Sequence, residues 1–287
     1  MGILYVVATP IGNLNDFSPR AIQTLKDSDL ILVEDTRQTI KLLNHFEIKT
    51  KMISYHKFNE KQRTKEIIEK LKDNINISLV SDAGTPCISD PGYILAKEAL
   101  ENDIKVIAIP GASAVISALS IGGWATSSFT FYGFVPTDNN SKKMLFEEIK
   151  NSKVSTKVIY ESPKRIIKLL EDLISEIPGC VVSVCSELTK VHEDCIHGKI
   201  EEVYEKMKKN PNSNKGEYVI LISNEVENKQ KEDICLEALI IDVIIKEKCT
   251  VKEAISKLNE NYKDISKKDI YNASLNLKNI IEKEILK

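Results

Sequence analysis

Long apolar runs are missing from this sequence, and none approaches the roughly 18–20 residues that span a bilayer. The apolar start MGILYVVA lacks a basic segment and runs into Pro10 and Gly12, so it predicts a first strand and not a signal peptide. Six cysteines are present, but a core of this size needs no disulfides and nothing indicates secretion. Together these absences predict a cytoplasmic protein.

An excess of positive charge is also lacking, because the formal net charge is −2. General affinity for nucleic acid usually appears as a basic domain, so the composition does not favour it. Charge is nevertheless uneven, and residues 141–170 carry eight Lys or Arg, which fits a solvated helix face or a local phosphate-contacting patch. His192, Cys195 and His197 lack a fourth ligand and match no standard zinc spacing, so we expect no metal site.

The common phosphate-binding motifs are absent as well. No loop matches G-x-G-x-x-G or G-x-x-x-x-G-K-[ST], which excludes the usual dinucleotide and nucleoside triphosphate sites, and no G-x-S-x-G nucleophile motif is present. Instead, three apolar β-branched runs each lead into a loop of Gly, Pro and small polar residues, at 3–16, 77–92 and 105–114. Such loops at the carboxyl ends of parallel strands are typical of ligand sites. They suggest a nucleotide-like cofactor without phosphates, for which S-adenosylmethionine is the candidate.

Alternating strand and helix patterns predict an α/β fold. Strands are expected near 3–8, 30–33, 52–54, 77–81 and 105–109 in a parallel sheet, and at 129–135, 156–161, 180–187 and 216–223 in a mixed sheet. Aromatic residues in 129–135 and 216–223 favour antiparallel pairing. Ser18-Pro19, Asp90-Pro91 and Ser162-Pro163 each predict a helix start.

Composition shifts predict three domains. We expect an α/β domain over 1–119, a second α/β domain over 120–225 and a small helical domain over 233–287, with a polar linker at 224–233. The last stretch contains neither Pro nor Gly and has helical periodicity. Cys180 and Cys185 are separated by an odd number of residues in one strand, so their side chains should face opposite ways.

A series of longer motifs carries a family resemblance over about residues 1–223. In order, they are TPIGNLND (9–16), EDTR (34–37), SYHKFNE (54–60), SDAGTPCISDPG (81–92), PGASA (110–114), GFVP (133–136), YESPKR (160–165), ELTK (187–190) and KGEYV (215–219). The chain resembles the ribosomal RNA small-subunit methyltransferase I family of the tetrapyrrole methylase superfamily. Lys164 departs from that family's usual His, and His192, Glu193 and Asp194 stand where a fuller acidic pair is usual.

The resemblance implies an activity and an assembly. The activity is transfer of a methyl group from S-adenosylmethionine to the ribose 2′-oxygen of a cytidine in small-subunit ribosomal RNA. The assembly is a homodimer of chains with two α/β domains, which hold the cofactor in the cleft between them. The RNA or a small ribosomal particle is then the expected partner, with no membrane involved.

The expected cofactor contacts lie in the three Gly/Pro loops and at the ends of two later strands. They are Pro10, Gly84, Thr85, Ile88, Ala112, Ser113, Tyr160 and Leu188.

Polar residues at strand carboxyl ends are the catalytic candidates, because a ribose hydroxyl needs a base or an electrostatic stabiliser beside it. They are Asp35, Arg37, Glu161 and Lys190, with Glu187 beside Lys190. Each also has a structural explanation, such as a loop-fixing pair for Asp35 with Arg37. His56 and Asn59 lie in a loop that either closes over substrate or is satisfied internally.

Two other functions stay open at this point. C-methylation of a tetrapyrrole precursor is the first, although the enzymes that perform it have G-x-G-x-G-D in the first loop, where this chain has a single glycine. A non-catalytic protein that binds ribosomal RNA is the second, and the balanced charge speaks against it.

Overall fold

The computed structural model describes residues 1–223, 235–261 and 266–280. The chain divides into two compact units, Met1–Val226 and Glu227–Lys287, and the first contains both sheets. The three-domain division at 1–119, 120–225 and 233–287 stays a prediction, and the expected linker at 224–233 lies outside the described residues. None of the helices in the described ranges is long and apolar enough to cross a membrane.

The first sheet is fully parallel, as expected from its continuous apolar strands. Its strands are β1 (Ile3–Val7), β2 (Leu30–Val33), β3 (Met52–Ser54), β4 (Ile77–Leu79) and β5 (Lys105–Ile109), in the order β3-β2-β4-β1-β5. Its helices are α1 (Pro19–Asp27), α2 (Thr36–His45), α3 (Glu60–Lys72), α4 (Tyr93–Glu101) and α5 (Ala114–Ile121). Because β1 lies between β4 and β5, the three Gly/Pro loops emerge side by side at one edge.

The second sheet is mixed, as predicted. Its strands are β6 (Phe129–Phe134), β7 (Thr156–Glu161), β8 (Val181–Ser186), β9 (Asp194–Lys199) and β10 (Tyr218–Ser223), in the order β6-β7-β10-β8-β9. Helices α6 (Asn139–Asn151), α7 (Ile166–Glu176) and α8 (Ile200–Lys209) complete this half. Strand β10 pairs antiparallel on both sides, but β6 runs parallel to β7, so the prediction of antiparallel pairing was wrong for β6.

Each sheet buries both of its faces. On the second sheet, Cys180 packs on one face beside Val182, whereas Cys185 packs on the other beside Val219, which confirms the predicted opposite orientation. The helices α9 (Leu236–Glu247), α10 (Val251–Asn261) and α11 (Lys267–Ile280) form a separate small core around Ile240 and Leu258. This confirms the predicted helical character for the described residues of the C-terminal stretch, 235–261 and 266–280.

Two of the three predicted helix starts were wrong. Ser18 caps α1, and its hydroxyl accepts a hydrogen bond from the Ala21 amide at 3.1 Å. However, α4 begins only after Gly92, and α7 begins only after Arg165. The stretches that begin at Asp90 and Ser162 are therefore loops, which frees their side chains for other roles. Strand β9 was missed because its sequence, DCIHGK, has little β-branched character.

Candidate active site

Hydrogen bonds tie the three Gly/Pro loops together at the sheet edge. The Thr9 and Gly84 backbones form a two-residue bridge with N···O distances of 2.8 and 3.1 Å. The Thr85 hydroxyl donates to the Ala112 carbonyl at 3.0 Å, which joins the second loop to the third. The loops therefore form one connected surface, as the strand order requires.

Glycine is needed at two close approaches in this surface. Gly84 has a φ of +82°, and a Cβ there would lie 3.3 Å from the Ile11 Cγ2. A Cβ on Gly12 would lie 2.6 Å from the Lys190 Cγ, so the first loop touches the loop that follows β8. The two halves of the first unit thus meet beside the Gly/Pro loops.

A cavity of about 190 Å³ opens at this meeting point. Both halves line it, with apolar, hydroxyl and carboxylate side chains; the lining residues are Ile11, Asp82, Ala83, Gly84, Thr85, Ile88, Ser89, Asp90, Ser113, Ala114, Phe134, Tyr160, Glu187, Leu188, Lys190, Glu217, Tyr218 and Val219. The mixture of apolar walls with a few convergent polar groups is typical of a small-molecule site.

Most of the predicted cofactor contacts lie on the cavity wall. These are Gly84, Thr85, Ile88, Ser113, Tyr160 and Leu188. Pro10 and Ala112 are chain neighbours of the lining residues Ile11 and Ser113 and are not part of the wall themselves. Of the four catalytic candidates, only Lys190 lines the cavity, and its ammonium group contacts the Glu187 carboxylate at 2.9 Å.

Asp35 forms a pair with Arg37 outside the cavity lining. The guanidinium of Arg37 binds both carboxylate oxygens of Asp35, at 2.7 Å for the shorter contact, and hydrogen bonds from Arg37 lower the pKa of Asp35 to about 2. Arg37 remains 88% exposed despite this pair. The geometry therefore favours Asp35 as the group that orients Arg37, because a carboxyl with so low a pKa is a weak base.

Glu161 is buried and is not one of the residues that line the cavity. Its carboxylate contacts the Arg165 guanidinium at 2.7 Å and accepts a hydrogen bond from the Ser162 amide at 2.6 Å. Neither Asp35 nor Glu161 is among the residues that line the cavity, so the structure does not bring them together there, and their catalytic role stays a prediction. A carboxylate without solvent is stable only when it is paired, and Arg165 is the partner that the chain supplies to Glu161.

His56 and Asn59 contact one another within their loop. The Asn59 side chain accepts from the His56 amide at 2.8 Å and lies 3.2 Å from the His56 ring nitrogen. The Nδ1 atom of His56 is nevertheless buried without a hydrogen-bond partner, so the loop satisfies the imidazole only in part. Neither side chain lines the cavity.

Asp90 is the functional candidate that the sequence reasoning missed. Its side chain lines the cavity, and burial together with the neighbouring carboxylates of Glu34 and Asp82 raises its pKa to about 6. A hydrogen bond with Ser81 opposes this shift without cancelling it. The signal was present in the sequence, since Asp90 belongs to the SDPG end of the second Gly/Pro loop, but a following proline made it look like a helix cap.

The fold and the cavity define the class: a two-sheet α/β protein with a cavity of small-molecule size where its two halves meet. The family model of tetrapyrrole (corrin/porphyrin) methylases matches residues 3–204. Among curated proteins, ribosomal RNA small subunit methyltransferase I of Halalkalibacterium halodurans is 42% identical over 275 residues, covering 94% of each chain. The protein of the same name from Synechocystis sp. is 46% identical over 224 residues, covering 78% of this chain and 79% of its own.

Solved structures share the fold at low sequence identity. Diphthine synthase has a TM-score of 0.58 at 15% identity, covering 77% of this chain and 90% of its own. Uroporphyrin-III C-methyltransferase from Thermus thermophilus, complexed with S-adenosyl homocysteine, has a TM-score of 0.53 at 16% identity, covering 79% and 99%. The chain therefore belongs to the tetrapyrrole methylase family and, within it, to the ribosomal RNA small-subunit methyltransferase I family. It is a methyltransferase whose cofactor is S-adenosylmethionine.

The cavity has the chemistry that this cofactor requires. S-adenosylmethionine carries positive charge on its sulfonium and ammonium groups, and the carboxylates of Asp82, Asp90, Glu187 and Glu217 face the cavity. Apolar side chains, among them Leu188 and Val219, offer a surface for an uncharged aromatic base. The residues present therefore fit the cofactor without any phosphate-binding element.

Proposed function

We propose that the protein methylates the ribose 2′-oxygen of a cytidine in small-subunit ribosomal RNA. The names of relatives that are 42% and 46% identical support the RNA substrate. The observation that carries the chemistry is a cavity-lining carboxyl, Asp90, whose raised pKa of about 6 suits proton removal near neutral pH.

Proton removal is the step that this chain's own residues must perform. The cofactor supplies a methyl group on a positively charged sulfur when it is bound. Asp90 accepts the proton of the 2′-hydroxyl as the oxygen becomes nucleophilic, in place of Asp35 and Glu161, which do not line the cavity. The Lys190 ammonium stabilises the negative charge that develops on that oxygen.

Arg37 is the proposed RNA contact at the sheet edge. Its guanidinium is held by Asp35 through two hydrogen-bonded nitrogens, yet it is 88% exposed. A guanidinium held in this way presents its remaining donors in a fixed direction, which suits a phosphate oxygen. In the Lys- and Arg-rich stretch 141–170, by contrast, Lys142 and Lys168 both pair with Asp172, and Lys157 is buried. This stretch is therefore a weaker candidate for a phosphate patch.

One assay tests the substrate class. We expect the purified protein to transfer a labelled methyl group from S-adenosylmethionine to small ribosomal subunits that lack the modification, and not to tetrapyrrole precursors. Nuclease digestion of the labelled RNA then identifies the nucleoside, and 2′-O-methylcytidine is the expected product. Label on a tetrapyrrole, or binding to RNA with no transfer at all, would replace this proposal with one of the two alternatives.

Assembled particles should be better substrates than bare RNA. The chain has a formal net charge of −2, so nonspecific attraction to phosphates contributes little and recognition needs a shaped surface. We expect kcat/KM for a small subunit or a late precursor to exceed that for an oligonucleotide of the same sequence by at least about tenfold. Equal values for the two substrates would contradict this expectation.

Cofactor binding should depend on the conformation of Gly84. Gly84→Val forces a β-branched residue into a left-handed conformation, which costs about 1–3 kcal/mol, and shifts a loop that lines the cavity. Calorimetry should show one S-adenosylhomocysteine per chain for the parent and at least about tenfold weaker binding for Gly84→Val.

Gly179 provides the matched control for Gly84. It has a φ of +75°, open space around its Cβ and no place in the cavity lining. Gly179→Val therefore imposes similar strain on the backbone and should leave the affinity for S-adenosylhomocysteine unchanged. Equal losses of affinity in both variants would show that general strain, and not the loop at Gly84, controls binding.

We also propose that the protein acts in the cytoplasm as a homodimer, as the family resemblance implies. Sedimentation of the purified chain measures the oligomeric state directly.

A further inference from the structure

Cys185 and Cys195 lie opposite one another on neighbouring strands. They are register partners in the antiparallel pair β8–β9, and their Sγ atoms are 3.0 Å apart. Directly opposed residues in antiparallel strands have Cα separations of about 4.5–5.5 Å, which falls within the range that a disulfide spans. The backbone therefore already holds the two thiols in a position from which a bond can form, although both cysteines are free in this structure.

The two thiols differ in environment. Cys185 is fully buried, whereas Cys195 is partly exposed at the sheet's edge strand β9. The hydrogen bond between the two sulfurs lowers the pKa of Cys195, and the same contact together with burial raises the pKa of Cys185. Cys195 is therefore the thiol that a small oxidant reaches and that more readily forms the reactive thiolate.

The pair also borders the cavity. Cys185 packs in the same apolar cluster as Leu188 and Val219, which line the cavity, and Cys195 packs against that cluster. The segment between the two cysteines carries Glu187, Leu188 and Lys190 of the cavity wall. Glu187 and Thr189 have φ values of +50° and +67°, so this short segment is tightly turned.

We propose that Cys185 and Cys195 form a reversible disulfide that ties the cavity-lining loop between β8 and β9 at its base. Hydrogen peroxide supplies the oxidising power. The Cys195 thiolate attacks one peroxide oxygen, forms a sulfenic acid and releases hydroxide. The Cys185 sulfur, after giving up its proton, then attacks the Cys195 sulfur, and the second oxygen leaves as water. In sum, two thiols are oxidised and one peroxide is reduced to two waters.

The test uses the full-length protein treated with a small excess of hydrogen peroxide. We expect a mass loss of two hydrogen atoms, a drop from six to four titratable thiols in denaturant, and complete reversal by dithiothreitol. Tryptic cleavage after Lys190 should leave two peptides joined through these cysteines. The oxidised protein should melt a few degrees higher, because the bond closes a loop around the edge-strand connection.

Single-cysteine variants make the assignment. Cys195→Ser should lose no thiol pair and gain no thermal stability on oxidation, whereas Cys87→Ser and Cys180→Ala should behave like the parent. Cys180→Ala is needed because Cys180 and Cys185 share a tryptic peptide. Loss of two titratable thiols in oxidised Cys195→Ser, or sulfinic acid at Cys195 of the parent without a cross-link, would overturn the proposal. None of these readouts depends on the RNA substrate.

Discussion

Asp90→Asn should lower the rate of methyl transfer by about 10²–10³-fold, the usual cost of losing a general base. The asparagine keeps the size of the side chain but cannot accept the proton of the hydroxyl. Affinity for S-adenosylhomocysteine should change by less than about threefold, because the loops that form the cavity are undisturbed. Single-turnover methylation of small subunits and calorimetry measure the two quantities separately.

The pH dependence of the parent enzyme's rate should also identify Asp90 as the base. Asp90 is active as a base only when ionised, and its pKa is about 6 in the folded protein. We therefore expect the single-turnover rate of the parent to fall as the pH is lowered through about 6. This acidic limb of the pH–rate profile should be absent from the residual activity of Asp90→Asn. Bound cofactor carries positive charge, so saturation with it should move the limb to lower pH.

As the pH rises through about 6, the stability contributed by Asp90 should fall, whereas the rate of methyl transfer should rise. The folded-state pKa of Asp90 lies above its ordinary value of 3.8, so folding binds its proton more tightly. The stability that this group contributes is present below its unfolded pKa and is lost as the pH rises through about 6. At neutral pH, Asp90→Asn should therefore be more stable than the parent, by about 1 kcal/mol after allowance for partial exposure. The gain should vanish in acid.

Two variants control for Asp90→Asn. Asp27→Asn removes an exposed carboxylate at the end of α1 and should leave rate and stability at parent values. Asp35→Asn tests the earlier candidate. It should lower the rate of the chemical step by less than about threefold at saturating RNA, and loss of the orientation of Arg37 should raise the apparent KM for RNA. A parent-like rate in Asp90→Asn together with a strongly reduced rate in Asp35→Asn would show that Asp35, and not Asp90, is the general base.

Glu161→Gln should destabilise the protein without removing the base. The change breaks the contact between Glu161 and Arg165, where Glu161 is 2% exposed and Arg165 is 33% exposed. Loss of one partner from a buried ion pair lowers the free energy of unfolding by several kcal/mol. A smaller loss of about 2 kcal/mol is expected here, because Arg165 reaches solvent and the glutamine oxygen still accepts a hydrogen bond from the Ser162 amide. Denaturant unfolding measures the loss in free energy.

Activity separates this structural role from a catalytic one. The rate of methyl transfer by folded Glu161→Gln should stay within about threefold of the parent at a temperature well below the melting transition. Glu171→Gln is the matched control. Glu171 pairs with Lys168 on an exposed helix surface, and a glutamine there still accepts the hydrogen bond from the Tyr204 hydroxyl, so the free energy of unfolding should change by less than about 0.5 kcal/mol. A collapse in rate with unchanged stability would restore Glu161 as a catalytic group.

The strands of the first sheet were predictable because each is an apolar run followed by a Gly/Pro loop. The periodicity also predicted the helical C-terminal stretch and the opposed orientations of Cys180 and Cys185. Strand β9 was not predictable in the same way, because it is a polar edge strand that depends on pairing with β8. The parallel direction of β6 likewise depends on β7 beside it.

The amino-acid sequence by itself determined the family, because its motifs are long and occur in the family's order, and the family resemblance implied the cofactor. It also determined the Gly/Pro loops that border the cavity, because glycine, proline and small residues at fixed positions are local requirements of backbone shape. Only the tertiary structure decided which carboxylate faces the cavity. Asp35, Asp90 and Glu161 all lie near strand or loop ends, but their chemistry depends on partners elsewhere. Arg37 lowers the pKa of Asp35, Arg165 holds Glu161 in the interior, and burial beside Glu34 and Asp82 raises the pKa of Asp90. Since burial and charge pairing arise from contacts between distant segments, no local pattern reveals them.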